Sequence, residues 1–361
     1  MRKYKVQKKH AIIPIFIPHY GCEYECVFCN QNKITGRTKI PKEEDVRNTV
    51  DEWLTTLRPK GENAAGTVEL AFYGGSFTGI PIDAQSSYLS IAKEYKDSGL
   101  IDKIHMSTRP DYIDEEILTN LKSYGVDTIE LGAQSFDDAV LLASNRGHTA
   151  KSTEKASALI NEFGFELGIQ LMVGLPGDSL KSSIYSAKKA ADLAPSLARI
   201  YPTVMLKDTE LLNMYLEGKY TPISQEEAVK RAKAMYLILE NRGITIMRVG
   251  LKSTDVMNSS VIDSPSYHPA FRQLVEGSIA RDRIEDLIID NLDEQEARES
   301  NEEYNPSIKV DIHSSPSWFS NMIGNGGENK IYFNNKYPHL NIRYKVDDLL
   351  SDGDFKLVIK G

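Results

Sequence analysis

The sequence predicts an α/β chain: a partial (β/α)6 barrel of TIM type followed by a small C-terminal α+β domain. Three observations predict it. Through the first two thirds of the chain, short apolar runs alternate with longer amphipathic segments, six times in series. Those runs are rich in Ile, Val, Leu and aromatics, the composition of parallel strands covered on both faces. After about residue 250 the alternation stops and a connector, one helix and short strands follow. Strand–helix units in series argue for a parallel sheet closed wholly or partly into a barrel.

The strands are expected at 12–17, 67–73, 103–107, 128–131, 166–173 and 198–204. Between them, helical periodicity runs over about 43–57, 83–97, 114–124, 151–163 and 179–193, with a further helix at 224–241. Several start with side chains that satisfy free backbone N–H groups: Asp114 precedes Glu115 and Glu116, and Ser224 stands three residues before Glu227. A seventh strand at 244–249 closes the edge. Residues 252–269 form an aperiodic connector, and a helix follows near 270–290. Residues 281–304 carry ten acids against Arg281, Arg283 and Arg298, a net of −7, and read as a solvated helix or an acidic linker. Short strands are expected at 308–312, 330–333, 340–345 and 355–359, with turns at 324–327 and 351–353. The expected organisation is therefore a basic arm at 1–10, a core barrel at 11–250 and a C-terminal α+β domain at 251–361.

At 361 residues the chain exceeds the size at which one core stops growing. Hydrophobic residues make up 41% and charged residues 26%, which excludes a wholly disordered chain, a collagen-like fibre and a coiled coil. No run approaches the ~18 apolar residues of a membrane helix. The opening MRKYKVQKKH lacks the apolar stretch of a signal peptide, so a cytoplasmic protein without membrane contact is expected. Net charge is −8, unevenly spread. Residues 1–40 hold Arg2, Lys3, Lys5, Lys8, Lys9, Lys33, Arg37 and Lys39 against Glu23 and Glu25, a net of +6 that leaves −14 for the rest. A nucleic-acid partner is therefore expected only through the N-terminal arm.

All three cysteines, Cys22, Cys26 and Cys29, fall within one loop after the first strand. An odd, clustered set is a poor disulfide framework and a good metal or cluster site. Loops after strands form the active face of a parallel barrel. Three thiolates hold three corners of a [4Fe–4S] cluster and leave one iron without a protein ligand. An open position is what a site needs if it is to bind a substrate or cofactor directly. The alternative is a Cys3His zinc site using His19, although zinc ligands usually come as two separated pairs. His19 is otherwise a packing residue beside the loop.

The Cys22-x3-Cys26-x2-Cys29 motif, with Phe28 just before its third cysteine, resembles the signature of the radical S-adenosylmethionine (SAM) superfamily over about residues 11–250. The resemblance implies a [4Fe–4S] cluster whose open iron is chelated by SAM. It implies cleavage of SAM by one electron to methionine and a 5′-deoxyadenosyl radical, which takes hydrogen from a substrate, with an electron donor such as flavodoxin or ferredoxin. Gly74-Gly75-Ser76, after the second strand, then looks like the superfamily's glycine motif, which contacts the SAM amino group. Ser107 and Arg109 belong to a polar cluster ending the third strand. Glu130, inside an apolar strand, is either a cofactor contact or half of a buried salt bridge with Arg109 or Arg146. Gln134 suits the ribose hydroxyls. Arg146 suits the SAM carboxylate as a two-pronged donor, while His148 beside it is equally a structural hydrogen-bonder. Gly174, in the rigid turn Gly174-Leu175-Pro176-Gly177, suits packing on adenine or methionine. Tyr201, Lys207 and Arg248, near the ends of late strands, are candidate substrate contacts.

The segments STRPDYID, IELGAQS, NRGHT and GLPG resemble, in order and spacing, the elongator catalytic subunit (elongator protein 3) and bacterial oxygen-independent coproporphyrinogen oxidase-like proteins. The chain departs from the elongator subunit after residue 250: no acetyl-CoA-type glycine loop is evident and no cysteine remains for a further zinc site or auxiliary cluster. The expected function is radical SAM chemistry on an unidentified substrate. The rivals are an RNA-modifying enzyme that uses the basic arm, and a non-catalytic cluster- or zinc-binding regulator.

Overall fold

The computed structural model describes residues 10–58, 66–251, 255–298 and 308–360. Arg2, Lys3, Lys5, Lys8 and Lys9 of the basic arm lie outside them, as do residues 299–304 of the acidic stretch. In chain order the elements are β1 (His10–Ile17), α1 (Gln31–Thr35), α2 (Glu43–Leu57), β2 (Thr67–Gly74), α3 (Ile82–Asp97), β3 (Lys103–Thr108), α4 (Glu115–Ser123) and β4 (Thr128–Gln134). There follow α5 (Asp138–Ala143), α6 (Ala150–Glu162), β5 (Glu166–Val173), α7 (Leu180–Asp192), β6 (Leu197–Pro202), α8 (Glu210–Leu216), α9 (Gln225–Glu240) and β7 (Thr245–Val249). The chain ends in α10 (Asp255–Asn258), α11 (Phe271–Arg298), β8 (Ile308–Ser314), α12 (Phe319–Ile323), α13 (Glu328–Lys336), β9 (Leu340–Val346) and β10 (Phe355–Lys360).

Strands β1 to β7 pair in sequence order, every pairing parallel, with β1 and β7 at the two edges. This is the expected partial barrel, with the seventh strand in place. In β1, Ala11, Ile13, Ile15 and Ile17 are buried while the alternate residues from Ile12 to Phe16 are half-buried. The first set packs into the main apolar core with Val46, Val50 and Leu54 of α2. The other set faces the concave side, where the strands also place their polar residues. Caps terminate the helices as the sequence requires: Asp114 accepts from Ile117 N–H, and Ser224 from Glu227 N–H at 3.1 Å.

The C-terminal part forms its own three-stranded sheet in the order β10-β8-β9, with β8 parallel to β9 and antiparallel to β10. Its core joins Val310 and Ile312 to Ile284, Ile288, Met322 and Phe333.

Two expectations are corrected. The strand at 330–333 is part of helix α13. Asn329 and Phe333, four residues apart, are buried, while Ile331 is 57% exposed; a strand would have turned Ile331 and Phe333 to one face. The acidic stretch, expected as a solvated helix or an acidic linker, is helical as far as Arg298, and Ile284 and Ile288 within it are fully buried, so it is packed there and not solvated all round. Helices α1, α5, α8, α10 and α12, of four to seven residues, escaped sequence reading because they span too few turns for periodicity to show.

Candidate functional site

The cysteines lie on the loop from β1 to α1, and that loop rests on the end of β2. Gly21 has φ 79°, and a Cβ there would come within 2.2 Å of the Ser76 carbonyl oxygen, so no other residue lets the loop lie so close. The N–H of Cys29 donates to the Cys26 carbonyl at 2.9 Å, closing a turn that folds the last two cysteines together. His19 Nε2 accepts the Gln31 N–H at 3.0 Å, and the His19 N–H donates to Gln31 Oε1. Burial lowers the His19 pKa, against a pull from Glu25 in the other direction, as suits a neutral acceptor. Gln31 Nε2 also donates to the Gly74 carbonyl. From outside, Val27 N–H donates to Ser144 O at 3.2 Å, Asn145 Nδ2 to Glu25 O at 2.8 Å and Leu211 N–H to Val27 O at 2.7 Å.

Burial, then Cys26, pushes the Cys22 thiol up; burial, then Cys26 and Cys22, pushes the Cys29 thiol up to about 12. Thiols that oppose one another's ionisation in this way suit a bound group that brings its own positive charge. Two buried guanidiniums flank them. Arg146 Nη1 donates to Cys26 Sγ at 3.0 Å, its Nη2 to the Gly132 carbonyl at 2.6 Å and its Nε to His148 Nε2 at 3.3 Å. Burial and Arg146 together lower the His148 pKa to about 4, so the imidazole is a neutral acceptor. Arg109 forks onto Asp111 at 3.0 and 2.6 Å and stacks on the Tyr24 and Tyr112 rings, its guanidinium carbon 4.8 and 5.4 Å from their centres.

This donor set fits an iron–sulfur cluster. Three thiols in one loop, with the Arg146 and Arg109 guanidiniums beside them, are the donor chemistry that such a cluster takes. The surroundings also fit SAM. Gln134, at φ 65°, holds its Oε1 buried with no hydrogen-bond partner, which suits a ligand hydroxyl. Arg109 Nη1 is likewise buried and unpartnered.

Other predicted residues have different surroundings. Gly75 N–H donates to Ile17 O at 2.7 Å and Ser76 N–H to Tyr20 O at 3.0 Å, and a Cβ on Gly75 would lie 2.0 Å from the Tyr20 carbonyl oxygen. The glycine motif thus seats the cysteine loop on β2. Ser76 is fully buried, its hydroxyl 2.9 Å from Thr108 Oγ1 and accepting from Arg109 N–H at 3.0 Å, so its side chain ties β2 to β3. Gly174 N–H donates to Asp178 at 2.8 Å and its carbonyl accepts from Tyr220 Oη at 2.8 Å. Phe28 packs between two apolar groups, one with Met205 and Leu211, the other with Val140, Met172 and Leu175. Lys207 and Arg248 are exposed.

Glu130 does not pair with Arg109 or Arg146. It is fully buried with Arg199 Nε at 2.9 Å, His105 Nε2 at 3.3 Å and the Gln170 amide against it. His105 Nδ1 lies 3.2 Å from Glu69, and Glu69 lies 3.0 Å from His10. Arg199 reaches the Tyr73 and Tyr201 hydroxyls and lies over the Tyr73 ring, 4.7 Å from its centre. Gln170 also donates to Ser107 at 3.1 Å. The sequence reading missed Glu69, His105, Gln170 and Arg199. Their signal was a polar residue inside each of several successive apolar strands, Gln170 and Arg199 being direct register partners. The neighbours of the cysteine loop, Tyr24 and Gln31, gave no signal beyond proximity.

Comparison with known proteins agrees with this geometry. The family model described as "Radical SAM superfamily" matches residues 16–184, and that described as "Radical_SAM C-terminal domain" matches residues 195–281. A tRNA uridine(34) acetyltransferase of Methanocaldococcus infernus is 29% identical over 183 residues, 45% of this chain and 34% of that protein. Heme chaperone HemW of Bacillus subtilis is 26% identical over 225 residues, 62% of this chain and 59% of that protein. The chain thus spans about a third of the first relative's length. Among solved structures, archaeal Methanocaldococcus infernus Elp3 with an N-terminal deletion has the same fold, with a TM-score of 0.61 at 20% identity over 77% of this chain and 64% of that one.

Proposed function

Because the chain belongs to the radical SAM superfamily, we propose that it is an enzyme that cleaves S-adenosylmethionine reductively and removes hydrogen from a substrate, with Cys22, Cys26 and Cys29 holding a [4Fe–4S] cluster. The observation that carries this reading is the cysteine loop: three thiols in one loop, flanked by Arg146 and Arg109. When bound, the reduced cluster would supply one electron to the sulfonium of SAM, whose S–C5′ bond would break to leave methionine and a 5′-deoxyadenosyl radical. The chain's own residues do the rest. Gly21, Gly75 and Gln31 seat the loop on β2. Arg146 donates to the Cys26 sulfur and Gln134 offers an acceptor to a ribose. Tyr73, Ser107, Gln170 and Tyr201, on the concave face of the sheet, are proposed to meet the substrate.

The family implies a reductant and a substrate. A flavodoxin- or ferredoxin-type donor and a cytoplasmic location belong to the proposal; among the described residues no helix is long and apolar enough to cross a membrane. Residues 11–250 are taken as the catalytic core and 251–361 as its C-terminal domain.

The test is anaerobic reconstitution with iron and sulfide, then dithionite and SAM, with an assay for 5′-deoxyadenosine. About four irons per chain and deoxyadenosine formation are expected, both lost in Cys26→Ala. Bound zinc, or a cluster that leaves SAM intact, would point to the regulatory reading instead. A second reading, modification of tRNA, draws on the relative named as a tRNA uridine(34) acetyltransferase. It predicts salt-dependent tRNA binding and a modified nucleoside after turnover with tRNA.

A further inference from the structure

The C-terminal sheet has one apolar and one cationic face. Ile308, Val310, Ile312, Leu340, Ile342, Tyr344, Phe355 and Leu357 turn inward to the small core. The alternate residues share the opposite face, and the register places them side by side: Lys309 beside Asn341 and Lys360, Asp311 beside Arg343 and Val358, and His313 beside Lys345 and Lys356. Lys345 and Lys360 both reach Asp311, at 2.6 and 3.7 Å, from the strands on either side, which shows that all three strands present these residues to one face. Lys345 beside it holds the Asp311 carboxyl below the usual carboxylate range, and the two lysines leave its side chain only 4% exposed. Lys309, Arg343 and Lys356 are exposed and have no acidic partner among the described residues. The acids Asp347, Asp348, Asp352 and Asp354 all fall in the connection from β9 to β10, at one end of the sheet. Five cations thus stand over a single, covered carboxylate in a chain whose net charge is −8.

We propose that this face is a docking surface for RNA, gripping its phosphate backbone. An array of Lys and Arg without an apolar centre matches a polyanion and gives a lipid surface nothing to bury, since Val358 is the only apolar side chain on it. Alternate residues along a strand stand ~6.7 Å apart, about twice the ~3.4 Å axial spacing of phosphates along one nucleic-acid strand. The face is formed by the three strands, and among the described residues none of its side chains comes from a helix that could enter a B-DNA major groove. The wide, shallow minor groove of A-form RNA presents its flanking phosphates to such a surface. This inference concerns a surface separate from the cysteine loop and does not depend on the proposed radical chemistry.

The test uses the full chain and a fluorescein-labelled RNA hairpin, with anisotropy followed across a salt series. Wild-type binding should weaken steeply with salt. Lys309→Gln, Arg343→Gln and Lys356→Gln combined should lower the slope of log K against log [salt] by about 2–3, with thermal unfolding unchanged because Asp311 keeps both its lysines. An undiminished slope overturns the proposal. So does a wild-type chain that binds a poly-glutamate peptide, anionic vesicles or duplex DNA in preference to the hairpin. Should the triple variant fail to fold, crosslinking of the wild-type chain to a 4-thiouridine-containing hairpin decides. Adducts on 308–314, 340–346 or 355–360 uphold the surface, and adducts confined elsewhere overturn it. SAM cleavage, assayed without RNA, should be unaltered in the variant.

Discussion

Arg146 joins Cys26 to the fourth strand of the barrel: one arm of its guanidinium donates to the Cys26 sulfur at 3.0 Å and the other to the Gly132 carbonyl at 2.6 Å. Hydrogen bonds and positive charge at a ligand sulfur favour the reduced, more negative state of an iron–sulfur cluster. Arg146→Gln should therefore take up iron yet show a more negative midpoint potential in an EPR-monitored redox titration. A wild-type midpoint together with weaker SAM binding would return Arg146 to the carboxylate-binding role that its sequence context suggested.

Glu130 should be costly to remove and less costly to replace together with its partner. It is the only carboxylate described against Arg199 and one of two against His105. Removing one member of a buried pair leaves an uncompensated charge and costs about 3–5 kcal/mol. Glu130→Leu should lose stability on that scale in urea unfolding, and Glu130→Leu with Arg199→Met should recover part of it. A double variant no better than the single would mean that the site depends on its shape more than on charge balance.

The same network sets a pH dependence. Burial draws the His105 pKa down, but Glu130 and Glu69 outweigh it and the pKa is raised; burial lifts those of Glu69 and Glu130, but His105 with His10 at Glu69, and Arg199 with His105 at Glu130, outweigh it and both are lowered. The His105 contribution is complete below its unfolded pKa of about 6.5 and is lost as pH rises through the higher folded value. The carboxylate contribution is complete above about 4.3 and is lost as pH falls through the lower folded values. Unfolding free energy should therefore be greatest in mildly acidic solution and decline above about pH 6.5, a decline that should be weaker in His105→Gln.

Gly147 carries the ring of Tyr24. It lies at φ 73°, and a Cβ there would come within 2.5 Å of that ring. Gly147→Ala should cost about 1 kcal/mol in backbone strain alone and should also lift Tyr24 from its stack on Arg109. Slower or incomplete iron uptake during reconstitution, compared with Gly164→Ala, where a Cβ meets open space at a similar φ of 78°, would separate the ring contact from the strain.

Local pattern made the seven barrel strands and the cysteine loop legible. Strands such as 12–17 are unbroken apolar runs, and the cysteines are neighbours in sequence. The partners of Glu130 were not legible, because Arg199 lies 69 residues away and meets it only across β5. Helix α13 was misread because Ile331, Tyr332 and Phe333 carry strand propensity locally, while their fate is decided by what Phe333 packs against. The cationic sheet face was hidden for another reason. From 308 to 360 the chain has seven Lys/Arg and six Asp/Glu; the linear sum nearly cancels, and only strand alternation separates the signs.

Helix α11 supplies Ile279 and Ala280 to the barrel core and Ile284 to the small core, one turn further on. Four residues of helix advance about 6 Å, and no glycine or proline interrupts them. The two sheets are thus joined by a rod without a hinge. A macromolecule held on the C-terminal sheet would be carried at a set distance and angle from the β7 edge of the barrel, so the appended sheet would act as a ruler, measuring from the point of capture to the point of reaction.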